Sequence, residues 1–193
     1  MSLIITIVIA LGLDYWLGEP KRLHPLVGFG GLVDGLEKWF NSAEGVQVNQ
    51  RDTLLKCKGT LALLLAIGPL SFAAYSLEQT LATYEAFSTL FGAVVLYLAI
   101  GWRSLIQHAK AISAPLYDGD LITARVAVSH IVSRDTEDLN EQEIAKAATE
   151  SVLENGADAL FAALFWFIVA GIPGVVIYRL SNTLDAMWGY KNS

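Results

Sequence analysis

From Gly59 to Leu77 the chain carries no charged residue, and the same is true from Ala86 to Trp102 and from Ala159 to Tyr178. A helix with no ion over such a length has no side suited to water, and about 20 apolar residues are what a membrane crossing needs. A fourth apolar run, Leu3 to Leu17, is interrupted only by Asp14. Composition agrees: 54% of residues are hydrophobic and 17% charged, against about 25% charged in an average soluble domain. The expected fold is all-α. It is a single polytopic membrane domain over 1–193, with about four membrane segments near 3–17, 59–77, 86–102 and 159–178. Cytoplasmic segments 18–58 and 103–158, carrying amphipathic helices, join them.

Several function classes are excluded. A net charge of −6 offers no basic face for a phosphate backbone, so no nucleic-acid partner is expected. One cysteine, Cys57, cannot build a disulfide framework or a cysteine zinc site. No G-x-x-x-x-G-K-[ST] loop, dinucleotide glycine motif, HExxH or G-x-S-x-G elbow occurs, so any ATP use needs an unfamiliar site. The apolar start has no basic residue before it and no small-residue cleavage site after it, and is expected to be a retained membrane segment.

Charge asymmetry orients the segments. Lys21, Arg22, Lys38, Arg51, Lys56 and Lys58 lie in 18–58, and Arg103, Lys110, Arg125, Arg134 and Lys146 in 103–158, whereas Glu78 to Glu85 has no basic residue. The positive-inside rule puts the two long segments in the cytoplasm and the short turn outside. The fourth run then has two possible arrangements. A full crossing would deliver Asn182 to Lys191 to the outer side. The Gly171-Ile172-Pro173-Gly174 break would instead suit a re-entrant element, tolerated where backbone is buried in protein or lines a cavity.

Between the third and fourth runs the pattern is helical. Leu105, Ile106, Ala109 and Ile112 recur at helical spacing in a helix expected to end before Pro115. Asp118-Gly119-Asp120 reads as a turn, with Asp120 capping a helix from Leu121 to Val132. Asn140, with Glu143 three positions on, reads as a capping box.

Four polar clusters could carry chemistry. Glu143, Glu150, Glu154 and Asp158 fall near one helical face. Such a stripe is commonly only a solvated face, but this one runs directly into the apolar segment at Ala159, where acids often face a cavity. Clustered carboxylates also suit magnesium. Asn182 and Asp185, three apart, can converge on a ligand or simply cap a helix. The loop Gly18 to Pro25, stiffened by Pro20 and Pro25, offers Lys21, Arg22 and His24 to an anion. In Ser133-Arg134-Asp135-Thr136, Arg134 could hold phosphate or the segment could be a plain turn. His108 and His130 are assigned packing or surface roles.

These clusters, in this order, resemble the adenosylcobinamide-phosphate synthase family (the CobD/CbiB type). The shared elements are Leu13-Asp14 with Gly18-x-Pro20 and His24-Pro25, then Ser133-Arg134-Asp135-Thr136. Next come Glu150-Ser151-Val152-x-Glu154-Asn155-x-x-Asp158 and Asn182-Thr183-Leu184-Asp185-x-Met187-x-Gly189-Tyr190-Lys191. The resemblance implies a multi-pass enzyme of the bacterial inner (plasma) membrane that joins (adenosyl)cobyric acid to aminopropanol or its phosphate in an ATP-dependent amide synthesis. It implies Glu150, Glu154, Asp158 and Asp185 as catalytic groups, with Glu154, Asp158 and Asp185 as magnesium ligands. Substrate contacts implied are Lys21, Arg22, His24, Arg134, Asp135, Asn155, Asn182, Thr183 and Lys191. Partners would be the corrinoid, the amine, membrane lipid and other late cobalamin-pathway enzymes. Relatives tend to read DGxxAPLF after the last acid of the stripe; here Ala159 and Ala163 stand for that glycine and proline, so a local kink is expected to be missing. Relatives also continue past Gly-Tyr-Lys, so a C-terminal part is expected to be lacking. An AmpE-like family of membrane sensors or signalling proteins shares this topology, and the Asn182-Thr183-Leu184-Asp185 element disfavours it; a third reading is a non-catalytic membrane scaffold for corrinoid enzymes.

Overall fold

The structure, a computed structural model, describes residues 2–20, 25–41, 51–132 and 134–188, and these contain helices and no strand. In chain order they are α1 (Leu3–Leu17), α2 (Pro25–Asn41), α3 (Arg51–Leu81), α4 (Glu85–Ala99), α5 (Trp102–Tyr117), α6 (Leu121–Ser129), α7 (Glu141–Gly156), a π-helical segment (Ala157–Ala162) and α8 (Ala163–Trp188). Three helical stretches are long and apolar enough to cross a membrane: Cys57–Leu81, Glu85–Tyr117 and Glu141–Trp188. Helix α1 matches its expected bounds, but its 15 residues span only about 22 Å at 1.5 Å per residue, short of the ~30 Å hydrocarbon core.

The apolar helices bury small residues and turn large ones outward. Ala10 of α1 is fully buried in one cluster with Leu96, Tyr97 and Ala99 of α4, a small residue that lets the two backbones approach closely. Ile4, Val8, Leu64, Phe72, Phe87 and Ile168 are exposed, an outward apolar surface that lipid would cover and water would not. Phe29 and Val33 of α2 pack with Ala66 and Ile67 of α3 and with Leu180 and Leu184 of α8. A third core, Ile112, Ala124, Val128, Ile144 and Ala147, unites α5, α6 and α7.

Local chemistry sets the ends of α5–α7. Asn140 accepts from the Glu143 amide while Glu143 accepts from the Asn140 amide, completing the capping box. Asp120 caps α6 through the Thr123 amide, and Gly119 makes the turn with φ 76°. Helix α5 does not stop before Pro115 but runs through it to Tyr117. Proline removes one amide from the last turn, and the carbonyls of Ala114 and Leu116 are still met by Asp118 and Gly119, so the helix ends there without a break.

Near Ala159 the chain departs from regular α-helical geometry even without that glycine and proline. Residues Ala157–Ala162 form a π-helix although neither glycine nor proline stands at 159 or 163. The wider turn leaves carbonyls available to outside donors. The Gly101 amide donates to the Ala159 carbonyl at 3.1 Å, and the Tyr178 hydroxyl to the Asp158 carbonyl at 2.9 Å.

That last bond decides the course of α8. A straight helix would hold residues 158 and 178 about 30 Å apart. The chain instead doubles back at Gly171, whose φ of 66° and ψ of −152° are non-helical and essentially restricted to glycine. Residues 163–170 lead to this tip and 172–188 return. The Ile172 amide, freed at the break, meets the carboxylate of Glu78, one turn before the end of α3, and Pro173 sits in the first turn of the returning arm, where its missing amide costs nothing. A Cβ on Gly174 would lie 2.5 Å from Ala170 Cβ and 2.6 Å from the Trp166 carbonyl oxygen, which shows how closely the arms pack. The fourth apolar run is thus a broken element, folded back on itself at Gly171.

Candidate functional site

The turn after α1 is locked in place first. Asp14, the one acid in an apolar helix, is buried and accepts from the backbone amide of Arg103 at 2.9 Å, in the opening turn of α5. Arg103 Nη1 donates to the carbonyls of Tyr15 and Trp16 at 2.6 and 2.7 Å, satisfying the end of α1. The Tyr97 hydroxyl donates to the Gly18 carbonyl at 2.7 Å, and Gly18 turns the chain with φ 68°. The Leu13-Asp14 and Gly18-x-Pro20 element is thus an anchor that fastens Glu19 beside the start of α5.

The segment before α7 is held from below. Thr136 is buried and donates to the Arg125 carbonyl at 3.2 Å, while Arg125 Nε donates to the Leu139 carbonyl at 2.8 Å. Asp135 accepts from the Glu137 amide at 3.0 Å in a local turn. Arg134 stands exposed, 3.8 Å from Glu150, which also lies 3.8 Å from Lys146. Ser151 donates to the Ile131 carbonyl at 2.7 Å, and Asn155 Nδ2 donates to the Ser151 carbonyl at 2.8 Å. These bonds fix the face of α7 that leads to Asp158.

The returning arm of α8 brings the last motif back to that face. A cavity of about 710 Å³ is walled by Glu19 from the first element, by Asn155, Asp158 and Ala159, and by Arg179, Asn182, Thr183 and Ala186. Ser104, Leu105 and His108 of α5 close one side, and His130, Ile131 and Val132 another. Of the expected site residues, Asn155, Asp158, Asn182 and Thr183 meet here. Glu150, Glu154, Asp185, Arg134 and Asp135 do not line it; Glu154 and Asp185 are exposed. Lys21, Arg22, His24 and Lys191 lie outside the described residues. The acidic stripe is divided: Glu143 caps α7, Glu150 faces Arg134 and Lys146, and only Asp158 reaches the cavity.

Besides Glu19, three titratable wall residues escaped the sequence reading. His108 and His130, assigned packing or surface roles, both face the cavity, and His108 Nδ1 lies 2.8 Å from the Ser104 carbonyl, which needs its proton on that nitrogen. Arg179 is the third. It also borders a second cavity of about 430 Å³ that is otherwise apolar, with Phe29, Leu70, Val95, Leu98 and Val176 in its wall. Its Nε is buried with no hydrogen-bond partner among the described residues. The signal for it was in the chain: a lone cation between an uncharged run and a polar motif. Among the described residues no three His, Cys, Asp or Glu side chains are grouped to hold a metal ion. Asp158 and Glu19 are the carboxylates at the wall, and magnesium commonly binds through only one or two, with phosphate and water completing its shell.

Residues 7–193 match the family profile described as CobD/Cbib protein. The chain belongs to the CobD/CbiB family. It is 53% identical over 193 residues to a protein named cobalamin biosynthesis protein CobD from Stutzerimonas stutzeri, covering 100% of this chain and 60% of that protein. A Chromobacterium violaceum protein of the same name is 50% identical over 185 residues, 95% of this chain and 57% of its own length. An archaeal relative named probable cobalamin biosynthesis protein CobD, from Methanocaldococcus jannaschii, is 38% identical over 97% of this chain and 61% of its length. The chain therefore spans about 60% of the length of the curated CobD relatives it matches. No solved structure matches it significantly.

Proposed function

We propose that this CobD/CbiB chain supplies the substrate cavity of a membrane-bound, ATP-dependent amide ligase of cobalamin biosynthesis. The reaction would join the free carboxylate of (adenosyl)cobyric acid to aminopropanol or its phosphate, giving cobinamide or its phosphate. One observation carries the reading: residues from three motifs far apart in sequence wall a single polar cavity beside an apolar groove.

Amide synthesis from a carboxylate needs the oxygen made into a leaving group. In the proposed route the carboxylate takes the terminal phosphoryl group of ATP, releasing ADP. The amine nitrogen then attacks the acyl carbon, phosphate leaves, and the ammonium proton passes to a base. Asp158 is the carboxylate best disposed for that proton. Asn155 spends its amide protons on Ser151, which leaves Oδ1 as an acceptor for the amine, and Thr183 spends its hydroxyl proton on the Arg179 carbonyl at 2.8 Å, leaving an acceptor oxygen. Magnesium, when bound through Asp158 or Glu19, would supply charge neutralisation for the phosphates. The Lys and Arg residues of 103–158, set against a turn at 78–85 that has none, support a cytoplasmic opening by the positive-inside rule, where ATP is available.

The test is rescue of cobinamide formation in cells that lack their own synthase and are fed cobyric acid, using the natural protein that contains this chain. Asp158→Asn is expected to abolish rescue while the protein still accumulates in the membrane. Glu143→Gln is expected to be tolerated, since glutamine also serves in a capping box. Equal tolerance of both would remove Asp158 from the chemistry, and no rescue by the unaltered protein would refute the ligase reading.

A further inference from the structure

Arg179 is a cation that no carboxylate contacts directly among the described residues. Its guanidinium makes no hydrogen bond or ion pair among the described residues, and its Nε is sealed from solvent. Glu19 and Asp158 act on it only through space, neither close enough to pair. Burying such a charge is expensive unless an anion meets it, and the five donors of a guanidinium form a fork that suits an oxyanion. Asn182 lies three residues on, on the neighbouring part of the same helical face, and lines the same cavity. Its amide donors are not engaged among the described residues.

We propose that Arg179, assisted by Asn182, is the receptor for a phosphoryl oxyanion at the inner end of the polar cavity, where that cavity meets the apolar groove. The fork addresses two oxygens and the Asn182 amide a third, a three-point arrangement that a planar carboxylate cannot fill. The inference rests on the cavity being the substrate site, and it assigns the group that site holds most firmly. The phosphoryl group could belong to the nucleotide or to a phosphorylated amine; the receptor chemistry is the same.

The experiment is calorimetric titration of the purified protein in nanodiscs with inorganic phosphate, with ATP and with aminopropanol phosphate, for the unaltered protein, Arg179→Lys and Arg179→Met. Loss of a charged, bidentate contact is expected to weaken binding by about ten- to a hundredfold in Arg179→Met, with Arg179→Lys intermediate. Weakening confined to ATP or to aminopropanol phosphate supports the receptor and names the source of its ligand. An Arg179→Met protein that binds phosphate, ATP and aminopropanol phosphate all as tightly as the unaltered protein overturns the proposal. Should Arg179→Met fail to fold, Arg179→Lys, which keeps the charge, decides alone, and equal affinity in that variant overturns it. If the unaltered protein makes cobinamide and Arg179→Met does so equally well with unchanged affinity for all three phosphate compounds, the receptor falls and the ligase stands. Phosphate binding that depends on Arg179 in a protein unable to make cobinamide supports the receptor and refutes the ligase.

Discussion

The hairpin in α8 depends on a conformation that only glycine holds without strain, and Gly171→Ala tests it. At φ 66° and ψ −152° an alanine would carry a backbone penalty of order 1–3 kcal/mol. Its Cβ would also lie 3.3 Å from Glu78 Oε1, the carboxylate that meets the Ile172 amide, so relief of the contact would disturb that interaction as well. The arms converge on the cavity from both sides, and a hairpin that opens separates Asp158 from Asn182. For a domain of this size each kcal/mol lowers the melting midpoint by about 2–4 °C. The variant is therefore expected to melt some 2–12 °C below the unaltered protein, followed by tryptophan fluorescence in detergent. Gly12→Ala is the control: Gly12 lies inside α1 with nothing within 4 Å of the added Cβ, so a neutral or slightly raised midpoint is expected. A Gly171→Ala protein that melts at or above the unaltered midpoint would refute the hairpin as drawn.

Three further predictions bear on topology and local stability. In a Cys57→Ser background, cysteines at Lys146 and at Asp185 should be labelled by a membrane-impermeant thiol reagent from the same face of inverted vesicles; labelling from opposite faces would mean that α8 crosses fully. Asn140→Ala should cost about 1 kcal/mol by removing the capping box, seen as a lower midpoint, whereas Asn140→Asp should be nearly neutral. The Thr123 hydroxyl and amide hold the Asp120 carboxyl below its ordinary value. A depressed folded value stabilises above the unfolded one and is lost as pH falls through the folded one. Asp120→Ala should therefore flatten the acid side of the midpoint-versus-pH curve below about pH 4 and leave the shape near pH 7 unchanged.

Much of this protein was written locally. Uncharged runs longer than a few turns specify lipid-facing helices whatever their neighbours, because no polar face exists to turn to water. Caps at Asp120 and Asn140, and the turn at Gly119, depend on side chains within four residues and follow from spacing alone. The motif order was enough to indicate the family. Other features depended on contacts far apart in the chain. Gly171 and Pro173 announced a break, but its direction was set by Glu78, by Tyr178 reaching back to Asp158, and by the glycine packing of the two arms. The π-helical turn at 157–162 has no sequence signal; it exists because Gly101 and Tyr178 take up its carbonyls. The helical spacing that aligned four acids said nothing of which would meet Asn182, since only the fold-back selects Asp158. Arg179 was legible as a lone cation, but that its Nε is buried without a partner among the described residues, between two cavities, is a property of packing, which local sequence does not encode.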